Sequence, residues 1–312
     1  MADKGYVRQY FSSNATEWLA AAYGEGPLSP KFPVGSQRVR VAIELVAERL
    51  TGTNGRMVDL GCGGGDLCLV AAQMGFSATG VDIADGMIRE SRRKAEKLPV
   101  EVRDRLSFIS GDILDVSLGQ QPYDVATALG VIEYLPEDDG LFRRAFDLLR
   151  PGGVFVLSCR NRLFNLFSLN QYTLHEIKAQ QAEALLEEVQ ALAAVPAPQT
   201  AFRDLAGRLQ ERLQDLEAAL ALDCSEQACA GGVPPFDSQR RQHTPRQLEM
   251  SARKAGFIAP SFIGVHPHPM VGALEQASPR FYNQLAGALE VFERLPVALL
   301  FSSAFVAAFS KP

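Results

Sequence analysis

The sequence predicts an α/β fold: a doubly wound, mostly parallel sheet of seven strands, the last of them antiparallel, with an N-terminal helical cap and an inserted helical hairpin. Three observations predict it. Between Arg56 and Asn161, short β-rich runs alternate with segments of helical periodicity. A glycine-rich turn joins the first of those runs to the first of those helices. After a long interruption the same alternation returns near the C-terminus.

Residues 1–55 read as the cap. Tyr10, Phe11, Trp18, Leu19 and Tyr23 recur at helical spacing, and VRVAIELVAERL resumes the pattern after a Pro- and Gly-rich loop from Gly24 to Gly35. Residues 56–161 carry the runs RMVDL, SATGVDI, LSFIS, YDVATAL and GVFVLSC, separated by LCLVAAQM, GMIRESRRKAEKL and LFRRAFDLLR. Strand, helix, strand in regular succession implies parallel strands joined by crossovers. Residues 162–235 form the insertion, in which LHEIKAQQAEALLEEVQALAAV and FRDLAGRLQERLQDLEAALAL are two long helices parted by PAP. Phe202, Leu205, Leu209, Leu213, Leu216 and Leu220 step by threes and fours, a narrow apolar stripe that packs on its sister helix or on a second copy of the chain, giving a homodimer. Set between the fifth strand and the next helix, the insertion is expected to be a lid over the acceptor site, that dimer contact, or both. Residues 236–312 complete the core. TPRQLEMSARKAGF is a helix opened by Thr244 and closed by Gly256, and FIAPSFIGV with the Pro296–Ser310 run closes the sheet as an antiparallel pair.

Composition narrows the class. The chain has 312 residues, 47% of them hydrophobic, enough for one elaborated domain or two small ones. With 31 Lys+Arg against 36 Asp+Glu, the net charge of −5 lacks the basic excess of a nucleic-acid binder. Cys62, Cys68, Cys159, Cys224 and Cys229 are scattered rather than framed as disulfides, which fits a reducing compartment. MADKGYVRQYFSS has no apolar signal region, and the Pro296–Ser310 run falls about five residues short of the ~20 needed to cross a bilayer. The expectation is a cytoplasmic protein with no integral membrane segment.

The strongest local signal is VDLGCGGGD, Val58–Asp66, which follows a strand and opens a helix. Gly61, Gly63 and Gly65 leave the backbone open to a ligand, and the helix start adds partial positive charge. Tight turns alone also select glycine. A dinucleotide fingerprint would place glycine at position 66, where Asp66 stands. Asp59, two residues before the first glycine, suits a ligand carrying an ammonium and a sulfonium better than a pyrophosphate, which it would repel. Asp82, beside Ile83 at the end of the second strand, can accept from both ribose hydroxyls, whether of NAD or of S-adenosylmethionine (SAM). Asp112, after the third strand, can accept from an adenine amine with Ile113 as the apolar wall. Each acid alone also fits a turn or a cap. Together they mark the carboxyl edge of the sheet, where ligands of such folds bind.

VDLGCGGGD, GVDIADGMI, GDIL, YDVATALGVIEYLPEDD and LLRPGGVFVLS resemble the successive motifs of class I SAM-dependent methyltransferases, most nearly the ubiquinone-biosynthesis O-methyltransferases and their small-molecule relatives. The resemblance covers roughly residues 35–161, with weaker echoes in residues 6–23 and in the closing segment. It implies a Rossmann-like core, SAM as cofactor and methyl transfer. It also implies that Gly61 faces the methionine part of SAM and that Leu129 offers its backbone to the ammonium. Arg38 matches the arginine that pairs with the SAM carboxylate, though a solvated helix charge is the other account of it. Tyr6, Tyr10 and Phe11 match the lid formed by the N-terminal helix of relatives, or are plain core contacts of that helix. One departure stands out. Where the ubiquinone type reads E-x-x-E-H, this chain has Gly130, Glu133 and Tyr134, too few carboxylates for Mg²⁺, so no metal is expected.

Methyl transfer aligns acceptor, methyl carbon and sulfur while water is excluded. A hydroxyl acceptor also needs a base, and His243, His266 and His268 are the candidates, with His175 placed on the insertion's surface. His266 and His268 share a face if they lie on a strand. Tyr10, Glu133, Tyr134, Arg160 and Asn161 are the candidate acceptor contacts; Arg160 and Asn161 either hold a polar, anionic acceptor or cap the insertion. The expected function is methylation of a small molecule, on a hydroxyl oxygen. N-methylation of an amine or amino-sugar and a SAM-binding scaffold without turnover are the alternatives.

Overall fold

The computed structural model describes residues 3–23, 26, 28–52, 54–225, 234, 236–238 and 240–312. Gly24, Cys229 and the insertion boundary at residue 235 lie outside the described residues. Three helices open the chain: α1 (Lys4–Ser13), α2 (Ala15–Tyr23) and α3 (Val34–Arg49). Then follow β1 (Arg56–Leu60), α4 (Asp66–Met74), β2 (Ser77–Asp82), α5 (Asp85–Ala95) and the single turn α6 (Val100–Arg103). β3 (Leu106–Ser110), β4 (Tyr123–Leu129), α7 (Asp139–Leu148) and β5 (Leu149–Arg160) complete the series. The insertion contains α8 (Gln171–Lys178), α9 (Ala182–Ala193), α10 (Gln199–Glu211) and α11 (Leu213–Ser225). α12 (Pro245–Ala255), β6 (Ile258–Pro267), α13 (Gly272–Ala277), α14 (Pro279–Ala288), α15 (Ala298–Phe301) and β7 (Ser302–Ser310) close the chain.

Among the described residues the strands form one sheet in the order β3-β2-β1-β4-β5-β7-β6. β1 to β5 are parallel, and β7 runs antiparallel between β5 and β6. The strand order reverses between β1 and β4, so the crevice for a ligand opens at their carboxyl ends. Both faces of the sheet are covered, which explains why its strands read as unbroken apolar runs. Phe155, Leu157, Phe305 and Phe309 pack on one side against Phe142 of α7 and Leu248 of α12. Val154, Val156, Val306 and Ala308 point to the other, against Ala42 and Leu45 of α3.

Two local expectations change. The hairpin is four helices rather than two long ones. Gln180 adopts a left-handed backbone (φ 58°) between α8 and α9, and α10 gives way to α11 at Arg212 (φ −95°, ψ 5°). The apolar stripe does not stay on one face across that break: Leu216 is buried, while Phe202, Leu213 and Leu220 are exposed. α11 packs on α14 of the same chain, and its Asp223 caps that helix by accepting from the Arg280 and Phe281 amides, both at 3.0 Å. The other change is at the C-terminus, where the Pro296–Ser310 run begins with α15 before it becomes β7. Among the described residues, no helix is long and apolar enough to cross a membrane.

Candidate active site

The turn after β1 is held from the next strand. The amides of Gly61 and Cys62 donate to the Val81 carbonyl at 2.7 and 2.9 Å. Gly61 (φ 83°) allows no side chain, because a Cβ would stand 2.3 Å from Val131 Cγ2. A Cβ on Gly63 (φ 52°) would meet no atom within 4 Å, so this part of the turn faces open space. The turn and the next loop are tied through Asp82. Its carboxylate accepts from the Gly63 amide and the Ala84 amide, both at 2.8 Å. Burial raises the Asp82 carboxyl above its ordinary value against those two donors. Four lone-pair sites, two of them occupied, leave room for two ribose hydroxyls.

Gly61, Gly63, Asp82, Ile83, Asp112 and Ile113 line one half of a cavity of about 680 Å³, the size range of small-molecule sites. Asp59 and Gly65 do not line it. Asp59 lies behind the turn, where Thr127 Oγ1 donates to it at 2.7 Å. Burial pushes its carboxyl to about 6 despite that bond. Gly65 caps α4 and packs against Ser91 and Phe108. Their spacing placed both at the loop, but β1 turns Asp59 inward and Gly65 belongs to the helix start.

The N-terminal helix covers this half. Lys4 Nζ pairs with Asp112 Oδ2 at 2.5 Å, and Arg8 Nε donates to the Ile83 carbonyl at 3.2 Å. Burial alone would raise the Asp112 carboxyl, but Lys4 holds it below its ordinary value. Tyr10 and Phe11 line the cavity roof. Tyr10 donates to the Pro234 carbonyl at 2.7 Å, and the Tyr6 hydroxyl accepts from the Asp237 amide at 3.0 Å. Phe236 sits among these rings, 5.0 Å from Tyr10 and 5.1 Å from Tyr134. Lys4 and Phe236 had no sequence signal beyond residue type.

Arg38, Leu129 and Glu133 also line the cavity. Arg38 Nε and Glu133 Oε2 are both buried with no partner among the described residues. A buried guanidinium nitrogen without an acceptor fits an anionic group of a ligand, as the SAM carboxylate would be.

The other half is lined by Tyr134, Arg160, Asn161, Tyr172, Arg240 and the two neighbouring histidines. Asn161 is structural: its amide nitrogen donates to the Leu299 and Ser302 carbonyls at 2.5 and 2.8 Å, and its oxygen accepts from the Leu163 amide at 3.0 Å. It therefore caps the insertion. His243 lies outside the lining. It is buried, with Nε2 3.0 Å from Asp138 Oδ1, and its backbone bridges Arg160 and Arg162 across the base of the insertion.

His266 and His268 do share a face. Their ring centroids are 4.3 Å apart although His266 departs from strand geometry (φ 55°). His266 Nδ1 is 2.8 Å from Ser303 Oγ, and its ring stacks on Phe32. Burial, then His268, Arg38 and Arg160, push the His266 imidazole well below its ordinary value. His268 is pushed by burial to about 4, so both are neutral near pH 7. Tyr282 and Glu275, in a segment whose sequence carries no motif, complete this corner. The Tyr282 hydroxyl donates to the Met270 carbonyl, so its oxygen accepts from His268 Nδ1 at 3.2 Å. That leaves His268 Nε2 as a lone-pair acceptor, buried and without a partner. Glu275 Oε2 lies 3.9 Å from Nδ1.

A family model described as a methyltransferase domain matches residues 52–219. The ubiquinone biosynthesis O-methyltransferase of Xanthomonas axonopodis pv. citri (strain 306) is 30% identical over 159 residues, 51% of this chain and 62% of that protein. The same-named protein of Xanthomonas euvesicatoria pv. vesicatoria (strain 85-10) is 30% identical over 161 residues, again 51% and 62%. The match thus spans less than two thirds of those relatives' length. Magnesium protoporphyrin IX methyltransferase from Synechocystis PCC 6803, solved with bound SAH, superposes with a TM-score of 0.55 at 16% identity over all of both chains. The cyclase SpnF superposes with a TM-score of 0.54 at 16% identity, over 100% of this chain and 97% of that one. These likenesses establish the fold, which by itself does not fix a reaction.

Proposed function

Because this chain belongs to the methyltransferase-domain family, the class I SAM-dependent methyltransferases, we propose that it methylates a hydroxyl oxygen of a small molecule held beside His266 and His268. The observation that carries this is the His268 Nε2 lone pair, buried and unpartnered on a side chain that lines the cavity.

Asp82 would hold the SAM ribose, Asp112 and Ile113 the adenine, and Arg38 the carboxylate, with Leu129 and Gly61 along the methionine chain. SAM, when bound, supplies an electrophilic methyl group on a sulfonium whose leaving group is a neutral thioether. His268 Nε2 accepts the acceptor's hydroxyl proton as the oxygen becomes nucleophilic. The resulting imidazolium keeps its Nδ1–H bond to Tyr282 and is stabilised by Glu275, 3.9 Å away. α1 and the aromatic group around Phe236 exclude water from the transfer. The remaining acceptor contacts are Tyr10, Glu133, Tyr134 and Arg160. Leu213 and Leu220, exposed seven residues apart on α11, support a homodimer contact, which sedimentation would test.

Calorimetric titration with SAM, S-adenosylhomocysteine and NAD tests the cofactor assignment. SAM and S-adenosylhomocysteine should bind, and Asp82→Ala should weaken both; binding of NAD alone would end it. His268→Gln tests the base. It should abolish turnover on hydroxyl acceptors while S-adenosylhomocysteine still binds. An amine that reacts as its free base needs no general base, and the low His268 value favours that second reading. Retained turnover in His268→Gln would remove His268 as the base, and turnover of an amine but not of its hydroxyl analogue would establish the second reading.

A further inference from the structure

Arg160 and Arg240 flank the insertion in sequence, yet both line the same end of the cavity. The base of the insertion brings them together. The His243 amide donates to the Arg160 carbonyl at 3.1 Å and the Arg162 amide to the His243 carbonyl at 2.9 Å, so the chain entering the insertion runs beside the chain leaving it. Among the described residues neither guanidinium has an ion pair with an acid. Arg160 lies over the Tyr172 ring at 5.9 Å, and against burial the nearby Tyr134 and Glu133 raise the Arg240 value. Burial and the nearby charge of Arg240 lower the Arg160 value.

The cavity's acids do not cancel these charges. Asp112 is taken by Lys4, Asp82 by two backbone amides, and Glu275 lies beside His268. Glu133 is the acid that faces both arginines, out of contact range, and with Arg38 allotted to the cofactor it leaves one positive charge over. Two half-buried guanidiniums that share one carboxylate out of contact range carry a surplus positive charge, which an anionic ligand would pair. We propose, resting on the methyltransferase assignment, that the acceptor carries an anionic group, a carboxylate or phosphate, which Arg160 and Arg240 grip while its hydroxyl meets His268. Phe164 and Tyr172, at the same end, would flank a planar ring.

The test is calorimetry on the full chain saturated with S-adenosylhomocysteine, using 3-hydroxybenzoate, its neutral isostere 3-hydroxybenzamide, and 3-hydroxyphenyl phosphate. At least one anion should bind about tenfold or more tighter than the amide, a gap of about 1.4 kcal/mol, and the better anion tells carboxylate from phosphate. Arg240→Gln should erase the gap with S-adenosylhomocysteine affinity unchanged, and Arg240→Lys should recover part of it. Arg160→Gln is judged only if its thermal unfolding matches the parent; Arg240→Gln decides alone otherwise. Equal binding of anion and amide, failure of both anions to bind, or a gap that survives in Arg240→Gln overturns the proposal. Loss of S-adenosylhomocysteine binding in Arg240→Gln assigns the arginine to the cofactor and overturns it too. If S-adenosylhomocysteine fails to bind the parent chain, the methyltransferase assignment fails instead.

Discussion

The Tyr282 hydroxyl fixes the tautomer of His268. With its own proton given to the Met270 carbonyl, it accepts from Nδ1 at 3.2 Å and leaves the lone pair on Nε2, which is buried without a partner. A histidine becomes a base of defined direction only when such a third group holds the other ring nitrogen.

Tyr282→Phe should therefore slow hydroxyl methylation by about fivefold to a hundredfold, since a lost hydrogen bond of 1–3 kcal/mol scales at 1.36 kcal/mol per factor of ten. The fall should appear in kcat with S-adenosylhomocysteine affinity intact. Unchanged kcat would mean that Tyr282 does not position His268.

The acid limb of kcat/KM should lie near pH 4 rather than near 6.5, because burial holds the His268 imidazole at about 4. Stability moves in the same window. The folded value is below that of the unfolded side chain, so the unfolded state binds the proton first; stability is full above about 6.5 and is lost as pH falls toward 4. A pH–rate profile bending near 6.5 would remove His268 as the base.

Asp59→Asn should stabilise the fold at pH 8 and not at pH 4.5. The carboxyl is raised from 3.8 to about 6 by burial, so its contribution is present at low pH and is lost as pH rises through about 6. The gain is on the order of 1–3 kcal/mol. Thermal unfolding of parent and variant at the two pH values checks it; a shift independent of pH would mean that the Thr127 bond, not the charge, decides.

Gly61→Ala should destabilise by more than about 1–2 kcal/mol, since it adds a left-handed alanine to a 2.3 Å clash with Val131 Cγ2. Adding Val131→Ala should restore the packing part and leave the backbone part, about 1–2 kcal/mol. A double-mutant cycle with no coupling would contradict this.

The first half of the cavity was legible because its candidate ligand contacts follow successive strands. Asp82 and Asp112 sit at the ends of β2 and β3, and parallel strands must end on one edge. Asp59 and Gly65 have the same spacing logic but point away, since side-chain direction depends on the strand's pleat and on where α4 begins. Arg240, Tyr282 and Glu275 carried no comparable signal. They come from segments after an insertion, and no local period relates them to β5.

From the sequence alone came the α/β class, the strand set, the glycine turn and the family, all products of local pattern and short-range spacing. The tertiary structure decided what distance in sequence conceals. It placed Arg240 beside Arg160, locked His268 through Tyr282, turned the insertion onto α14, and set His243 into the frame rather than the cavity. The physical reason is that chemistry of this kind depends on burial and on unpaired polar atoms. Both are properties of the packed chain as a whole, and neither is written at any single position.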